Sequence, residues 1–285
     1  GLCASPFHSD RRRPRADNEI AMPPTAPSAS PVQWEPALLG APVEEAVETW
    51  KRSLHGFAKR LPSDERARFL MALDSACYFM HGESAILAND GLHPKHRLLA
   101  YHGFFADRVS PGEAVIDLGS GVGALAATLA HRGARVTGME WMGGHVATAR
   151  ARVLEERVSP LPTFIHGDIT SDRAPGEYDA VVLSNVLEHV ADRERLLRMW
   201  GEWYRPRRFL IRVPAFDRDW RVAWKRELGV EWRCDPTHET EYTRESLERE
   251  VAGAGLRVEH LTTCWGEYWV EARPLGGGSG GGDGR

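Results

Sequence analysis

Three carboxylates and a run of glycines are spaced as a ligand site needs them. Val115-Ile116-Asp117-Leu118-Gly119-Ser120-Gly121-Val122-Gly123 joins an apolar run to a glycine-rich turn. Glycine lets the chain turn sharply and approach a ligand with no Cβ in the way. A helix starting there directs its free amides at that ligand. Enzymes that bind dinucleotides use such a turn too, so it is not specific alone. Two details point elsewhere. Asp117 precedes the first glycine, where it would repel a pyrophosphate and suits a ligand carrying an ammonium group. Ala124 follows Gly123, so the dinucleotide spacing is absent. Glu140 ends the next apolar run, where an acid accepts from both ribose hydroxyls. Trp141 then offers a ring to an adenine. Asp168, in His166-Gly167-Asp168-Ile169, is placed to accept from the adenine amine while Ile169 packs on the ring. Alone, each acid reads as an ordinary exposed loop residue and the glycines as a tight turn with no ligand; together, three acids at three successive strand ends line the edge of the sheet where open α/β folds bind ligands.

Such residues must be held by strands ending on one edge. The pattern predicts strands at 113–118, 134–139, 162–166, 179–184 and 207–213, with helices at 122–132, 143–157 and 191–204 between them. This alternation is that of a parallel sheet covered on both faces. A helix at 243–253, with Thr243 as its N-cap, then leads to strands at 256–263 and 266–273. The short link between those two makes them an antiparallel hairpin. Upstream, helices are predicted at 42–60, at 63–80 with Ser63 as N-cap, and at 94–109.

The fourth strand runs on into Val181-Val182-Leu183-Ser184-Asn185-Val186-Leu187-Glu188-His189-Val190. With Asp117, the glycines, Glu140 and Asp168, this segment resembles the class I S-adenosylmethionine (SAM)-dependent methyltransferases, in their small-molecule branch, over about residues 110–270. The resemblance implies a doubly wound, seven-stranded, mostly parallel Rossmann-like sheet ending in an antiparallel hairpin. It implies SAM as cofactor, held by Asp117, Gly119, Ser120, Gly121, Gly123, Glu140, Trp141, Asp168, Ile169, Ser184 and Asn185. Ser120 stands where many members carry Cys.

The segment His93-Pro94-Lys95-His96-Arg97-Leu98-Leu99-Ala100-Tyr101-His102 precedes the first strand, where members of the family fold over the cofactor. Lys95 or Arg97 is expected at the SAM carboxylate, with Tyr101 also at the cofactor and His102 on the substrate side. On the acceptor side, Cys234-Asp235-Pro236-Thr237-His238 resembles a family segment. His238 and His189 are the candidate bases, because an imidazole with a pKa near about 6.5 can take a hydroxyl proton at neutral pH. Asp235 and Trp220 are candidate acceptor contacts, or a loop-fixing carboxylate and one edge of an amphipathic helix covering the sheet. Arg212, Arg218, Arg221, Lys225, Arg226 and Arg233 could pair with a phosphate or carboxylate on the acceptor. No metal is expected. His93, His96 and His102 lack a matching carboxylate or cysteine pattern, although acids around Glu188-His189 hold a divalent ion in some quinone O-methyltransferases.

The chain has 285 residues, 42 % of them hydrophobic, enough for a sizeable core. Its net charge of -4 argues against nucleic acid held by bulk charge. No apolar run is long enough for a membrane helix, and none follows Arg11-Arg12-Arg13 as a secretory leader requires. The four cysteines form no paired motif, so free thiols and a cytoplasmic location are expected. The expected organisation is a disordered extension at 1–36, a helical cap at 37–110, the SAM-binding domain at 111–274 and a Gly-rich tail at 275–285. The function expected is methyl transfer to a hydroxyl, or less readily an amine, of a small molecule such as a sugar, phenol, quinone or natural product. Two alternatives stand beside it: an NAD or nucleotide-sugar enzyme of dinucleotide-binding fold, and a SAM-binding protein without catalysis.

Overall fold

The computed structural model describes residues 40–89 and 93–275. The 1–36 extension and nearly all of the 275–285 tail therefore lie outside the described residues, as does Cys3. The chain divides into two units between Arg60 and Leu61. In the first, α1 (Val43–Ala58) carries Val43, Val47, Trp50, Leu54 and Phe57 at helical spacing.

The second unit opens with α2 (Ser63–Leu87), seven residues longer than the sequence pattern predicts, with Pro62 rather than Ser63 as N-cap. The single helix expected over 94–109 is two short ones, α3 (Lys95–Leu98) and α4 (Gly103–Ala106). The break falls at Ala100, which takes a left-handed φ of 45°. A non-glycine residue bears a cost of roughly 1 kcal/mol or more there. The break turns Tyr101 into the interior, where its ring is buried.

The sheet follows the predicted order closely: β1 (Ala114–Leu118), β2 (Arg135–Glu140), β3 (Thr163–His166), β4 (Ala180–Ser184), β5 (Arg208–Pro214), β6 (Leu256–Cys264) and β7 (Glu267–Pro274). Its strand order is β3-β2-β1-β4-β5-β7-β6. β1 to β5 are parallel, and β7 runs antiparallel between β5 and β6. Helices α5 (Ala124–His131), α6 (Gly143–Glu155), α7 (Arg193–Tyr204), α8 (Trp220–Leu228) and α9 (Arg244–Gly253) complete the unit. Thr243 caps α9 as predicted, accepting from the Ser246 amide at 3.2 Å.

Alternate strand residues feed two cores. Ile116, Val181, Leu183, Phe209 and Ile211 pack with Trp200, Tyr204 and Leu247 on one face. Val115, Val182 and Leu210 pack with Leu125, Leu129, Phe105, Tyr101 and Trp269 on the other. Truncating a fully buried ring such as Trp200 to Ala costs about 3–5 kcal/mol. By the same alternation Asp117 and Arg212 project toward the second face, the one covered by α4 and α5. Among the described residues no helix is long and apolar enough to cross a membrane.

Candidate active site

The glycine turn forms as the sequence requires. Gly119, Gly121 and Gly123 have φ of 74°, 52° and 75°, values that side-chain-bearing residues adopt rarely. Gly123 also has no room for a Cβ, which would lie 2.8 Å from Ala149 Cβ and 2.9 Å from Phe164 Cζ. Glu140 ends β2 beside this turn. Its carboxylate accepts from the Gly121 and Met142 amides, both at 2.9 Å, locking the turn to the second strand.

Asp117 is 2 % exposed, and its Oδ2 has no hydrogen-bond partner. Burial, reinforced by the Glu140 charge, pushes its pKa up to about 7 against the opposing pull of Arg212. A buried carboxylate oxygen without a donor is costly, and a ligand ammonium would supply the donor. Ser120 Oγ is buried without a partner in the same turn. Trp141 is 63 % exposed and so presents a free ring. Asp168 is exposed and accepts from the Thr170 amide and hydroxyl at 2.8 and 2.7 Å. Ile169 packs partly into the core, and its carbonyl accepts from Trp200 Nε1 at 2.9 Å. These residues fit SAM: a partnerless carboxylate for a cationic amine, an acid at the end of β2 and an exposed aromatic beside it.

Asn185 takes a φ of 56° after β4. Its amide group donates to Glu188 Oε1 at 2.7 Å, and its Oδ1 accepts from the Arg212 guanidinium. Ser184, half-buried, pairs with Arg212 across β4 and β5. Arg212 also lies 3.8 Å over the Tyr101 ring. Tyr101 donates to Glu267 at 2.5 Å and accepts from Lys95 Nζ at 3.1 Å. Lys95 and Tyr101 are thereby joined to β4, β5 and β7 by one buried polar network. Lys95 has its pKa lowered by burial and by Arg212. The side chain of Arg97 lies outside the described residues. His102 pairs with Thr128 Oγ1 at 2.8 Å. Burial, with His96 adding to it, lowers its pKa to about 3, so it is a neutral link between the cap and α5.

The acceptor side is tied together by the backbone. The Glu239 and Thr240 amides donate to the Glu188 carbonyl at 2.7 and 3.3 Å, holding the 234–241 loop against the Leu187–His189 turn. His238 is buried, with Nδ1 3.2 Å from Glu241 Oε1 and 3.8 Å from Cys234 Sγ. Its ring meets that of His189 edge-on at 4.5 Å. Glu241 is also ion-paired with Arg218. Asp235 accepts from the Thr237 amide and hydroxyl at 2.8 and 2.7 Å, which fixes the loop, while Thr237 Oγ1 meets His189 Nδ1 at 2.9 Å.

Beside Cys234 opens a cavity of 260 Å³, whose lining includes Tyr78, Trp232, Trp265, Arg218, Lys225 and Cys234. Trp220 is not among its lining residues. It is 70 % exposed and stacks on Trp224, in a helix packed on α2 and the Phe216–Arg218 turn. Glu188, His189 and His238 bring ligand atoms within 4.8 Å of one another, and so do Cys234, His238 and Glu241. The expectation of no metal did not foresee these groupings, because the loop joining them is read only in three dimensions. Sequence reading also passed over Glu267, a single acid in a segment read as strand, and gave Glu241 no role of its own within the polar stretch 234–243.

The methyltransferase domain family matches residues 91–261. The chain belongs to the class I SAM-dependent methyltransferases. A ubiquinone biosynthesis O-methyltransferase of Pseudomonas aeruginosa is 34 % identical over 95 residues, covering 33 % of this chain and 41 % of that protein. Less than half the length of that relative is therefore matched. The protein of the same name from Chromobacterium violaceum is 28 % identical over 177 residues, covering 59 % of this chain and 76 % of its own. In fold, this methyltransferase resembles magnesium protoporphyrin IX methyltransferase of Synechocystis PCC 6803, solved with bound SAH. The TM-score is 0.51 at 21 % identity, over 64 % of this chain and 83 % of that one. The seven-stranded sheet with its antiparallel β7 is the fold the resemblance implied.

Proposed function

We propose that this chain transfers a methyl group from SAM to a hydroxyl of a small aromatic molecule. The observation that carries the reading is the Asp117 carboxylate, buried with one oxygen unpartnered just before three left-handed glycines. Asp117, Gly119, Gly121, Gly123, Glu140, Trp141, Asp168 and Ile169 would hold the cofactor. When bound, SAM supplies a methyl group made electrophilic by its sulfonium, so the protein mainly aligns the partners and excludes water.

Tyr78, Trp232 and Trp265, set among charged residues on the wall of the 260 Å³ cavity, support a flat acceptor that carries polar groups, and the names of the relatives support a phenol or quinol. His238 takes the proton of the hydroxyl. With Nδ1 facing Glu241, its Nε2 is left as the basic nitrogen. A second reading follows from the convergence of Glu188, His189 and His238. A divalent cation on these ligands would lower the pKa of the hydroxyl, and Glu241 would orient His238 from behind.

Two measurements test this. Methyl-labelled SAM incubated with fractionated metabolites, with products resolved by mass spectrometry, should place label on an aromatic hydroxyl. Label on no fraction, with SAM bound, favours a non-catalytic SAM protein, and binding of NAD instead overturns the cofactor. Chelation separates the two acceptor-side readings: activity survives it if His238 acts as the base and is lost, then restored by a divalent salt, if the cation acts.

A further inference from the structure

The loop on the acceptor side gathers a set of ligand atoms that methyl transfer does not need as a set. Cys234 Sγ lies 3.8 Å from His238 Nδ1, and that nitrogen lies 3.2 Å from Glu241 Oε1. The three residues offer ligand atoms all within 4.8 Å of one another. A tetrahedral zinc ion has bonds of about 2.3 Å to sulfur and about 2.0–2.2 Å to nitrogen and oxygen. It therefore holds a sulfur and a nitrogen about 3.6 Å apart, and a nitrogen and an oxygen about 3.4 Å apart. Both measured edges of the set match those lengths to within about 0.2 Å.

The surroundings suit the same use. Glu241 Oε1 also accepts from the Cys234 amide at 2.6 Å, which closes the loop around the set. Glu241 Oε2 is ion-paired with Arg218, whose guanidinium donates in turn to the Ala215 and Trp232 carbonyls at 2.8 and 3.1 Å. Arg233 donates to the His238 carbonyl at 2.8 Å. Partners of this kind orient metal ligands from behind. His238 and Glu241 are buried, whereas Cys234 lines the 260 Å³ cavity, which gives an ion and a fourth ligand their way in. Three protein ligands with one position open to a cavity form an exchangeable site, unlike the closed four-ligand sites that only support a fold. The set shares His238 alone with the Glu188 and His189 grouping, and its sulfur makes it the softer of the two.

We propose that Cys234, His238 and Glu241 bind a zinc ion, and that this ion switches methyl transfer off. The second half rests on the reading of His238 as the base. Without the ion, His238 turns Nδ1 to Glu241 and keeps Nε2 basic. With zinc on Nδ1 the ring proton sits on Nε2, and His238 no longer takes a proton from the acceptor. Cys234 ligates as a thiolate, its proton passing to solvent as the zinc–sulfur bond forms.

Cobalt(II) reads the set directly, because a cobalt–thiolate bond gives a near-ultraviolet charge-transfer band that oxygen and nitrogen ligands do not. The full chain, freed of metal by chelation, should take up about one equivalent of cobalt with that band, and zinc should displace it. In Cys234→Ser the band should vanish and zinc affinity by titration should fall at least about tenfold. Glu188→Gln should keep both. In the wild-type chain zinc should slow alkylation of Cys234, followed by peptide mass spectrometry, at least about tenfold. No band in the wild-type chain, a band that survives Cys234→Ser, or alkylation that zinc leaves unchanged overturns the site, the last without need of a variant. Saturating zinc should lower turnover at least about tenfold. The zinc concentration for half-inhibition should rise at least about tenfold in Cys234→Ser, measured against the zinc-free rate of that variant. Full turnover with zinc bound overturns the switch. A chain that binds zinc through Cys234 but transfers no methyl group with or without it supports the site and refutes the methyl-transfer reading.

Discussion

The donor and acceptor sides of the site are built in different ways. On the donor side each group sits at the end of a strand or in the turn after it. Asp117 is on β1, Glu140 ends β2 and Asp168 follows β3. Parallel pairing brings these ends to one edge whatever the loops do. On the acceptor side no such rule operates. His238 owes its place to two amides on the Glu188 carbonyl, to Glu241 and, through Glu241, to Arg218. The first side is fixed by topology and the second by a buried polar network, so their variants should fail differently.

The largest failure is expected where topology and sterics coincide. Gly123→Ala combines a left-handed φ with a Cβ driven against Ala149 and Phe164. Those two costs sum to about 2–5 kcal/mol, a large share of the stability of an ordinary domain. Calorimetry should show a clear fall in Tm together with loss of SAM binding. A variant with wild-type Tm and affinity would mean that the turn is not the rigid cradle described.

Next in size is Asp117→Ala, which should abolish SAM binding with little loss of fold. The pH dependence sharpens this. With its pKa raised to about 7 by burial and Glu140, Asp117 is largely protonated in the free protein at lower pH. A cationic ligand favours the ionised form, so binding there must release a proton. SAM affinity should rise by up to about tenfold per pH unit below 7 and level off above it. Asp117→Asn should flatten the profile. A flat wild-type profile between pH 5 and about 8 would place the ammonium elsewhere.

The acceptor side should break in turnover and not in cofactor affinity. His238→Ala removes the proposed base, and loss of a general base lowers kcat by about 10²–10⁴. SAM affinity by titration should be unchanged, because among the described residues the ring touches Glu241, Cys234 and His189 and none of the donor-side groups. Unchanged turnover removes His238 from the chemistry. Lost SAM binding would instead show that the two sides are one network.

This contrast also explains what could be read from sequence. The strands, their order of use and the Asp117–Gly123 turn were legible because apolar runs, glycines and the acids after them are local signals. The helix expected over 94–109 failed on a local signal overruled by a distant one: Tyr101 turns inward to Glu267, and the chain breaks at Ala100 to allow it. Arg212 and Glu267 could not be paired in advance. They lie 55 residues apart, on strands whose antiparallel register sets Arg212 against Trp269 and Glu267 against Pro214. An arginine inside the apolar run Phe209-Leu210-Ile211-Arg212-Val213 was the one hint that something charged is buried there.

Trp220 gives the smallest expected effect and the sharpest check on where the acceptor region ends. From sequence, an aromatic beside a cluster of arginines reads as a stacking platform. In the fold its ring faces solvent and rests on Trp224, and it is absent from the cavity wall that Tyr78, Trp232 and Trp265 share. Trp220→Ala should therefore change stability by no more than about 0.5 kcal/mol and leave acceptor KM and kcat as they are. Trp232→Ala, by contrast, removes a wall of the cavity and the edge-on contact with Phe216, and should raise acceptor KM while sparing SAM affinity. If the two substitutions were equal, or if Trp220→Ala raised KM more, the acceptor would lie along the outer face of α8. The boundary between a site made by topology and one made by packed side chains would then have to be redrawn.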